Sequence, residues 1–134
     1  MRVIEAECDV FLSKIIYVSG CSFKELTAYL DKTWGKGIVL NWEACIGGTA
    51  QLQQVNKETA PLFLVWTKRL NDTPTLIHEI VQLIGLIFTN KGIPFNVRND
   101  ETIAYYLEHW YCKFTGRKST TAKPPEKIIK RRKK

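Results

Sequence analysis

The sequence predicts an α+β domain in which a small, mostly antiparallel sheet packs on one central apolar helix, with two further helices. Three observations indicate this class. The chain begins with β-branched and aromatic residues, residues 61–67 are a continuous apolar run, and residues 73–90 carry helix signals at both ends. A chain of 134 residues, of which 45% are hydrophobic, is long enough for one folded domain.

The N-terminal part predicts strand structure followed by a helix. Residues 3–18 are rich in β-branched side chains and fit one long strand or a hairpin. Ser22 is expected to cap the helix that follows, because Glu25 lies at the third helical position, as a capping box requires. Two glycines are expected to end this helix, Gly35 and Gly37.

Two strands are predicted in the middle of the chain. Gly47 and Gly48 open a polar, alternating run over residues 49–55, which indicates a strand with one solvated face. The run at residues 61–67 is apolar throughout, which suits a strand covered on both faces better than an edge strand. We expect the two strands to pair as antiparallel neighbours.

The best-defined element is the apolar helix. Thr73 is predicted as its N-cap, Pro74 fits the first turn, and residues 90–92 close the other end. Its remaining residues are apolar almost all round, as in a helix buried at the centre of a domain.

A final helix is expected from about Asp100 to Phe114, with Asp100 or Asn99 as its cap. The chain beyond Gly116 is predicted to be unstructured. The predicted organisation is therefore a folded domain over residues 1–116 and a disordered basic tail over residues 117–134.

The positive charge of the chain is concentrated in that tail. Of 20 basic and 13 acidic residues, nine basic and one acidic residue lie between Arg117 and Lys134, which leaves eleven basic and twelve acidic residues before them. The tail is therefore expected to be a solubilising, disordered end, and the alternative is non-specific contact of the tail with DNA or RNA. The candidate phosphate contacts are Lys130, Arg131, Arg132, Lys133 and Lys134.

The cysteine pattern and the absence of targeting signals predict a cytoplasmic protein. The four cysteines contain no CxxC pair, so neither a zinc ribbon nor a redox motif is indicated, and buried free thiols are expected. The sequence contains no signal peptide and no apolar run long enough to cross a bilayer. No membrane partner is expected.

The apolar helix carries a sequence that is one side chain short of the HExxH motif of zinc peptidases. Residues i and i+4 of a helix share a face, so two histidines at that spacing can hold one ion. Here His78 and Glu79 are present, but Gln82 takes the place of the second histidine. A glutamine carbonyl is a weaker zinc ligand than an imidazole, so zinc binding is in doubt. Gly85 lies on the same face and is expected to let another backbone approach closely.

The final helix carries a polar stripe that offers a further ligand. Zinc sites of the His, His, Glu kind take their carboxylate from a helix that follows the motif, and Glu101 is the obvious candidate. Tyr105, one turn later, is predicted to support the ligands. The two helices must cross at a steep angle for this meeting. His109 is not expected to replace the missing ligand, because two turns separate it from Glu101, about 12 Å of axial rise.

The segment HEIVQLIGLIFTNKGIPFNVRNDETIAYYLEHW resembles the C-terminal half of small phage-encoded zincin-like proteins. Those proteins carry HExxH, an apolar helix that ends in a Gly-Ile step, and a helix that starts D-E-x-x-A-Y. Gly92 and Ile93, and residues 100–105, match this pattern. The resemblance extends more faintly upstream and covers residues 1 to about 115.

The resemblance implies roles for individual residues. His78 would be the first metal ligand, Glu79 the general base and Glu101 the third ligand, while Gln82 stands where the family has histidine. It also implies a zincin-like fold, in which an edge strand beside the motif binds extended peptides by strand addition. Residues 49–55, with Gln51, Gln53 and Gln54, would be that strand or an ordinary solvated one.

The sequence is compatible with three functions. The first is a phage or prophage zincin-like protein with a degenerate metal site that acts as a binding or accessory module for an unknown protein or peptide. The second is a weakly active zinc-dependent metallopeptidase, in which Gln82 or a water held by it completes the coordination. The third is a nucleic-acid-associated accessory protein that acts through its basic tail.

Overall fold

The computed structural model of the chain describes residues 1–8, 11–35, 38, 40–52 and 61–118. In these residues a four-stranded sheet lies between one helix on one face and two helices on the other. Two of its three strand pairings are antiparallel. The predicted α+β class, with a small, mostly antiparallel sheet and three helices, is confirmed.

The N-terminal strand prediction resolves into the hairpin alternative. Strand β1 (Arg2–Cys8) pairs antiparallel with β2 (Ser13–Ser19), so that Cys8 faces Ser13 and Arg2 faces Ser19. Leu12, just before β2, adopts a positive φ of 47° at the turn. Because β1 pairs only with β2 in the described sheet, it forms one edge.

Helix α1 (Phe23–Trp34) begins at the predicted capping box. The Glu25 backbone N–H donates to Ser22 Oγ at 3.2 Å, and the Ser22 backbone N–H donates to Glu25 Oε1 at 3.0 Å. These hydrogen bonds lower the pKa of Glu25. The helix ends at Gly35, where φ is 97°, a conformation that favours glycine. Gly37 lies outside the described residues.

The two middle strands pair as predicted. Strand β3 (Gly47–Leu52) is antiparallel to β4 (Leu62–Thr67) and forms the second edge of the sheet as the described residues build it. All six residues of β4 are buried, because this strand lies between β2 and β3 and is covered on both faces. The predicted continuation of β3 through Gln53 and Gln54 to Val55 falls outside the described residues.

Helix α2 (Thr73–Asn90) corrects two predictions. Its N-cap is Asp72 rather than Thr73: the Asp72 carboxylate accepts hydrogen bonds from the Thr75 N–H at 3.3 Å and the Thr75 hydroxyl at 2.6 Å. Thr73 is instead the first helical residue. The helix is also not buried all round, because Ile77 and Val81 are exposed on a flank that no other described element covers.

Helix α3 (Asp100–Thr115) follows a short 3-10 turn at Val97–Asn99. Of the two predicted caps, Asn99 occupies the N-cap position, but its side chain makes no capping hydrogen bond. The buried residues of α3 repeat at every fourth position, as expected for a helix with one face on a core. They are Thr102, Tyr106, Trp110 and Phe114.

The sheet separates two apolar cores. On one face α1 packs on side chains of β2 and β4, where the Trp66 indole N–H donates to the Cys21 carbonyl at 3.2 Å. On the other face α2 and α3 pack together over the remaining side chains of β1, β2 and β4. No helix in the described part of the chain has the length and apolar character needed to cross a bilayer.

None of the four cysteines forms a disulfide. Cys8 and Cys21 are buried, as expected, but Cys112 is only partly buried and Cys45 is exposed. Burial in the core raises the pKa of the Cys21 thiol.

Candidate functional site

The contact between α2 and β3 fixes the position of the motif. At Gly47 an added Cβ would lie 2.6 Å from Thr75 Cγ2 and 3.2 Å from Glu79 Oε2, so the missing side chain lets the helix approach the strand directly. The close approach predicted at Gly85 is wrong, since a Cβ there would meet nothing within 4 Å. The glycine that brings two elements together is in the strand, not in the helix.

The Glu79 carboxylate is buried and held by β3. Glu79 is 7% exposed, and the Thr49 hydroxyl lies 2.8 Å from its Oε1 and 3.0 Å from its backbone carbonyl oxygen. The hydroxyl has one proton, so it donates to one of these acceptors at a time. A buried carboxylate needs such a donor, because an unpartnered charge away from water is costly.

His78 and Gln82 lie on the open flank of α2. The His78 side chain is 69% exposed, and its Nε2 lies 4.0 Å from Glu79 Oε2. Gln82 is also exposed. The two side chains that stand where the motif has its histidines are thus accessible to a ligand, whereas the carboxylate between them in sequence is not.

Aromatic contacts give the direction of α3 relative to α2. The Tyr106 ring lies 5.2 Å from the Phe11 ring, which lies 5.8 Å from Phe88 near the end of α2. The Phe114 ring lies 4.7 Å from that of Tyr17 in β2. The Tyr106 contacts therefore place the first half of α3 beside the end of α2.

The last turn of α3 lies toward the motif end of α2 instead. The hydroxyl of Tyr17, the ring partner of Phe114, hydrogen-bonds the Thr67 hydroxyl at 2.8 Å, and Thr67 faces Gly47 in the sheet. The two helices therefore run antiparallel. Glu101 precedes Phe114 by thirteen residues, about 20 Å of helical rise. The structure thus does not bring the exposed Glu101 to His78 and Glu79 as the three-ligand prediction required.

The described residues contain no group of three or more His, Cys, Asp or Glu side chains that could hold a metal ion. The donors on the open flank of α2 are one imidazole and one carboxamide. A catalytic zinc site needs three protein ligands, usually imidazoles and carboxylates. This donor set does not fit a tightly held catalytic zinc.

Tyr105 lies in a ring cluster on α3 rather than at the motif. Its ring is 5.9 Å from His109 and 5.1 Å from Tyr106. Burial raises the pKa of both tyrosines. The pKa of His109 is lowered, mainly by burial and to a smaller extent by the positive charge of Lys113. The His109 ring also lies 4.8 Å from the ring of Trp110, a buried residue of the core between the sheet and the two helices α2 and α3.

Among the described residues, no strand pairs with the side of β3 that faces away from β4, so β3 presents main-chain groups at an edge of the sheet. The Lys68 N–H donates to the Ile46 carbonyl at 2.8 Å, which sets the phase of the antiparallel ladder. Because every second residue pair of an antiparallel ladder exchanges main-chain hydrogen bonds, the β3 residues whose N–H and C=O groups point to β4 are Gly48, Ala50 and Leu52. The N–H and C=O groups of the alternate residues point away from β4, and these residues are Gly47, Thr49 and Gln51.

Comparison with protein-family models, with curated proteins and with solved structures found no match. The resemblance to phage zincin-like proteins therefore stays a prediction that depends on the motif residues.

Two residues at this site were not identified from the sequence. For Thr49 the sequence predicts only a position on an alternating strand, although a hydroxyl on the helix-facing side of that strand is a natural partner for a buried carboxylate. For Gly47 the sequence predicts only the start of the strand. The Gly-Gly pair before a polar strand was the signal for a close helix–strand contact.

Proposed function

We propose that this protein is a phage or prophage zincin-like domain with a degenerate metal site, and that it acts in the cytoplasm as a binding module. It holds an extended segment of a partner protein along β3, next to His78 and Glu79. The observation that carries the proposal is the hydrogen bond from Thr49 to Glu79, which links the motif carboxylate to a sheet edge.

The state of Glu79 favours binding over hydrolysis. A general base must reach the water that it deprotonates, and in zinc peptidases that water is bound to the metal. The Glu79 carboxylate is instead buried and occupied by the Thr49 hydroxyl. The second metal ligand of the motif is also replaced by the weaker donor Gln82.

The edge of β3 supplies the binding surface. An extended peptide adds to a sheet by main-chain hydrogen bonds, and its alternate side chains then contact the elements beneath. The outward N–H and C=O groups of Gly47, Thr49 and Gln51 offer these bonds.

Gln51→Pro tests the proposal at the strand edge. A displayed library of random nine-residue peptides is selected on the full chain, and the recovered peptides are measured on Gln51→Pro and on Gln51→Ala. Proline removes the outward N–H and leaves the ladder to β4 intact, so binding should be lost. Alanine keeps the N–H and should keep binding.

Thermal unfolding of both variants checks that the fold survives. Recovery of no binding peptide, or equal binding to the wild type and a folded Gln51→Pro variant, would refute the edge as the binding surface.

A weakly active metallopeptidase is the second candidate, favoured by the accessible His78 imidazole 4.0 Å from Glu79. It predicts one tightly held zinc per chain by elemental analysis and proteolysis that Glu79→Gln abolishes. The binding module predicts neither stoichiometric zinc nor cleavage of denatured protein substrates.

A further inference from the structure

The neighbouring parallel strands β2 and β4 both finish at one end of the sheet, and basic side chains collect there. Ser19 ends β2 beside Thr67, which ends β4, and Arg2 at the start of β1 pairs with Ser19. Lys68 and Arg69 follow Thr67 directly. The sheet therefore brings Arg2, Lys68 and Arg69 to one end of the molecule, and all three are exposed.

Helix α3 stops at the same end. A Cβ added at Gly116 would lie 3.9 Å from Arg2 Nη2, so the Arg2 guanidinium lies beside the last turn of the helix. Two more exposed cations follow, Arg117 and Lys118, and the Arg117 guanidinium lies 5.9 Å from the centre of the Tyr111 ring. Residues 119–134 add seven basic residues and one acidic residue to the sequence beyond this point.

Helix α1 also begins at this end and adds an exposed lysine in its first turn. The six exposed cations, called the basic end from here on, are Arg2, Lys24, Lys68, Arg69, Arg117 and Lys118. In the described part of the chain none of the six forms an ion pair. They therefore offer charges that no neighbouring carboxylate neutralises directly.

Three acidic residues lie near the basic end, Glu25, Glu43 and Asp72. The carboxylates of Glu25 and Asp72 accept hydrogen bonds at the starts of α1 and α2. Six basic and three acidic residues give this end a net charge of +3, whereas residues 1–116, with eleven basic and twelve acidic residues, have a net charge of −1. The fold thus separates charge that the sequence totals conceal.

A concentrated positive surface attracts a polyanion. The row from Arg2 to Lys68 crosses three neighbouring strands, about 10 Å, over which one strand of a DNA duplex presents about three phosphates. Among the described residues the exposed aromatic ring is Phe95, which lies beside Phe88 at the far end of α2. The basic end therefore has no exposed ring on which bases could stack, which favours contact with the phosphates of a duplex.

An anionic membrane is the competing polyanion. Proteins that bind a membrane surface insert apolar side chains between the lipids. Two exposed aliphatic side chains lie near the basic end, Ile46 and Leu70. Leu70 packs back on Gly20, where an added Cβ would lie 2.7 Å from Leu70 Cγ, so it is held against the domain. One remaining aliphatic side chain is too little for a membrane anchor.

We infer that the basic end and the tail form one surface that binds the phosphate backbone of a nucleic-acid duplex. This binding does not depend on peptide binding along β3. The four cations that precede Gly116 would by themselves give a dissociation constant of roughly 10⁻⁴ M near 0.1 M salt. The tail therefore supplies most of the affinity, and the basic end fixes where the duplex lies on the domain.

The test measures how the affinity of the full chain for a duplex depends on salt. Fluorescence anisotropy gives association constants for labelled DNA and RNA duplexes of about two helical turns between about 50 and 200 mM salt. The variants are Arg2→Gln and Arg69→Gln. Arg98→Gln is the matched control, because Arg98 is an exposed arginine just before α3, at the opposite end of that helix from Gly116. Thermal unfolding checks the fold of all three.

Arg2→Gln and Arg69→Gln should each lower the affinity about eightfold at 0.1 M salt, because each removes one phosphate contact. Each should also reduce the slope of log affinity against log salt concentration by about 0.9. Arg98→Gln removes the same charge and should leave the slope unchanged, with a change in affinity of less than about twofold.

Equal losses in Arg98→Gln and Arg69→Gln, or unchanged slopes in both Arg2→Gln and Arg69→Gln, would show that the tail acts alone and would overturn the inference. It would also fail if the wild-type chain bound neither duplex at about 50 mM salt. Tighter binding to vesicles that contain about 30% phosphatidylserine than to either duplex would assign the basic end to a membrane instead.

Discussion

His78 and Glu79 are neighbours in the chain, yet they occupy different environments. The His78 imidazole is exposed to solvent, whereas the Glu79 carboxylate is buried against β3 and hydrogen-bonded to the Thr49 hydroxyl. One residue along a helix turns the side chain by about 100°, enough to place one group outside and the next inside. The two groups that cooperate in a zinc peptidase are here divided between surface and core.

Gln82→His tests whether the open flank can still hold metal. A histidine at this position lies one helical turn from His78 on the same exposed face, so both imidazoles can bind one zinc ion. Zinc affinity should rise by roughly a hundredfold or more, because adding a direct ligand changes affinity more than changing a residue that only supports a ligand. Competition with a chromophoric zinc chelator measures the affinity. Gln82→Leu is the control and should not gain. Unchanged affinity in Gln82→His would mean that the two positions cannot share an ion.

Thr49→Val removes the hydroxyl that Glu79 uses and keeps the shape of the side chain. The buried carboxylate then loses its donor, and the free energy of unfolding should fall by about 1–3 kcal/mol. Urea denaturation measures the change. Thr49→Ser, which keeps the hydroxyl, should lose much less. Equal losses in the two variants would assign the effect to the methyl group instead of the hydrogen bond.

His109 should make stability depend on pH. Burial, and secondarily Lys113, lower its folded-state pKa below 6.5, so the unfolded chain binds the proton more readily. Its full contribution to stability is present above pH 6.5 and is lost as the pH falls from 6.5 toward the folded pKa. His109→Asn should therefore flatten the decline in the urea midpoint between about pH 7.5 and 5.5. An identical decline in wild type and variant would contradict the assignment.

At the scale of elements, the contact between α2 and β3 depends on Gly47. Gly47→Ala places a Cβ 2.6 Å from Thr75 Cγ2 and 3.0 Å from the Trp66 carbonyl oxygen, so strand or helix must move. The variant should lose about 1–3 kcal/mol of stability by thermal unfolding. Gly85→Ala is the matched control, because its Cβ meets nothing and alanine favours a helix. It should gain roughly 0.5–1 kcal/mol.

A stable Gly47→Ala variant, or a destabilised Gly85→Ala variant, would contradict this description of the helix–strand contact.

Elements whose signals are local could be predicted, and relations between elements could not. The capping box of Ser22 and Glu25 was predicted correctly because both partners lie within four residues. The N-cap of α2 was misplaced by one residue, since Asp72 and Thr73 are both good capping types and only the hydrogen bond to Thr75 separates them. The role given to Gly85 failed because a sequence does not reveal which helix flank stays uncovered.

The candidate site follows the same division. The shared face of His78 and Gln82 follows from helical spacing alone. The polar stripe of the final helix and the resemblance both predict Glu101 as the third ligand. The antiparallel packing of α3 on α2, which ring contacts between residues far apart in sequence establish, places Glu101 elsewhere. Thr49 belongs to the site because of how β3 is aligned along α2, and no local sequence pattern reveals that alignment.

For the whole molecule, the division into residues 1–116 and 117–134 stays a prediction that truncation tests. Ending the chain at Gly116 should leave the thermal midpoint within about 2 °C of the full chain, because no core side chain is removed. It also removes a net charge of +8 from a total of +7. Salt-dependent binding of a DNA duplex should disappear with the tail.

A large fall in the thermal midpoint would show that the tail packs on the domain. If DNA affinity survives the truncation, the DNA-binding surface lies within residues 1–116 and not in the tail.

The parallel pairing of β2 with β4 has a consequence for folding. Within the β1–β2 and β3–β4 pairs the nearest partners are five and ten residues apart, whereas Lys14 and Leu62, partners across β2 and β4, are 48 residues apart. The sheet thus consists of two strand pairs with short connections, and the pairing of β2 with β4 joins them. Forming that pairing closes a loop of 48 residues, and this step should limit the folding rate. Until it closes, the apolar β4 exposes a face to other chains. During synthesis the protein is therefore most prone to aggregate in the interval between completion of β4 and its docking on β2.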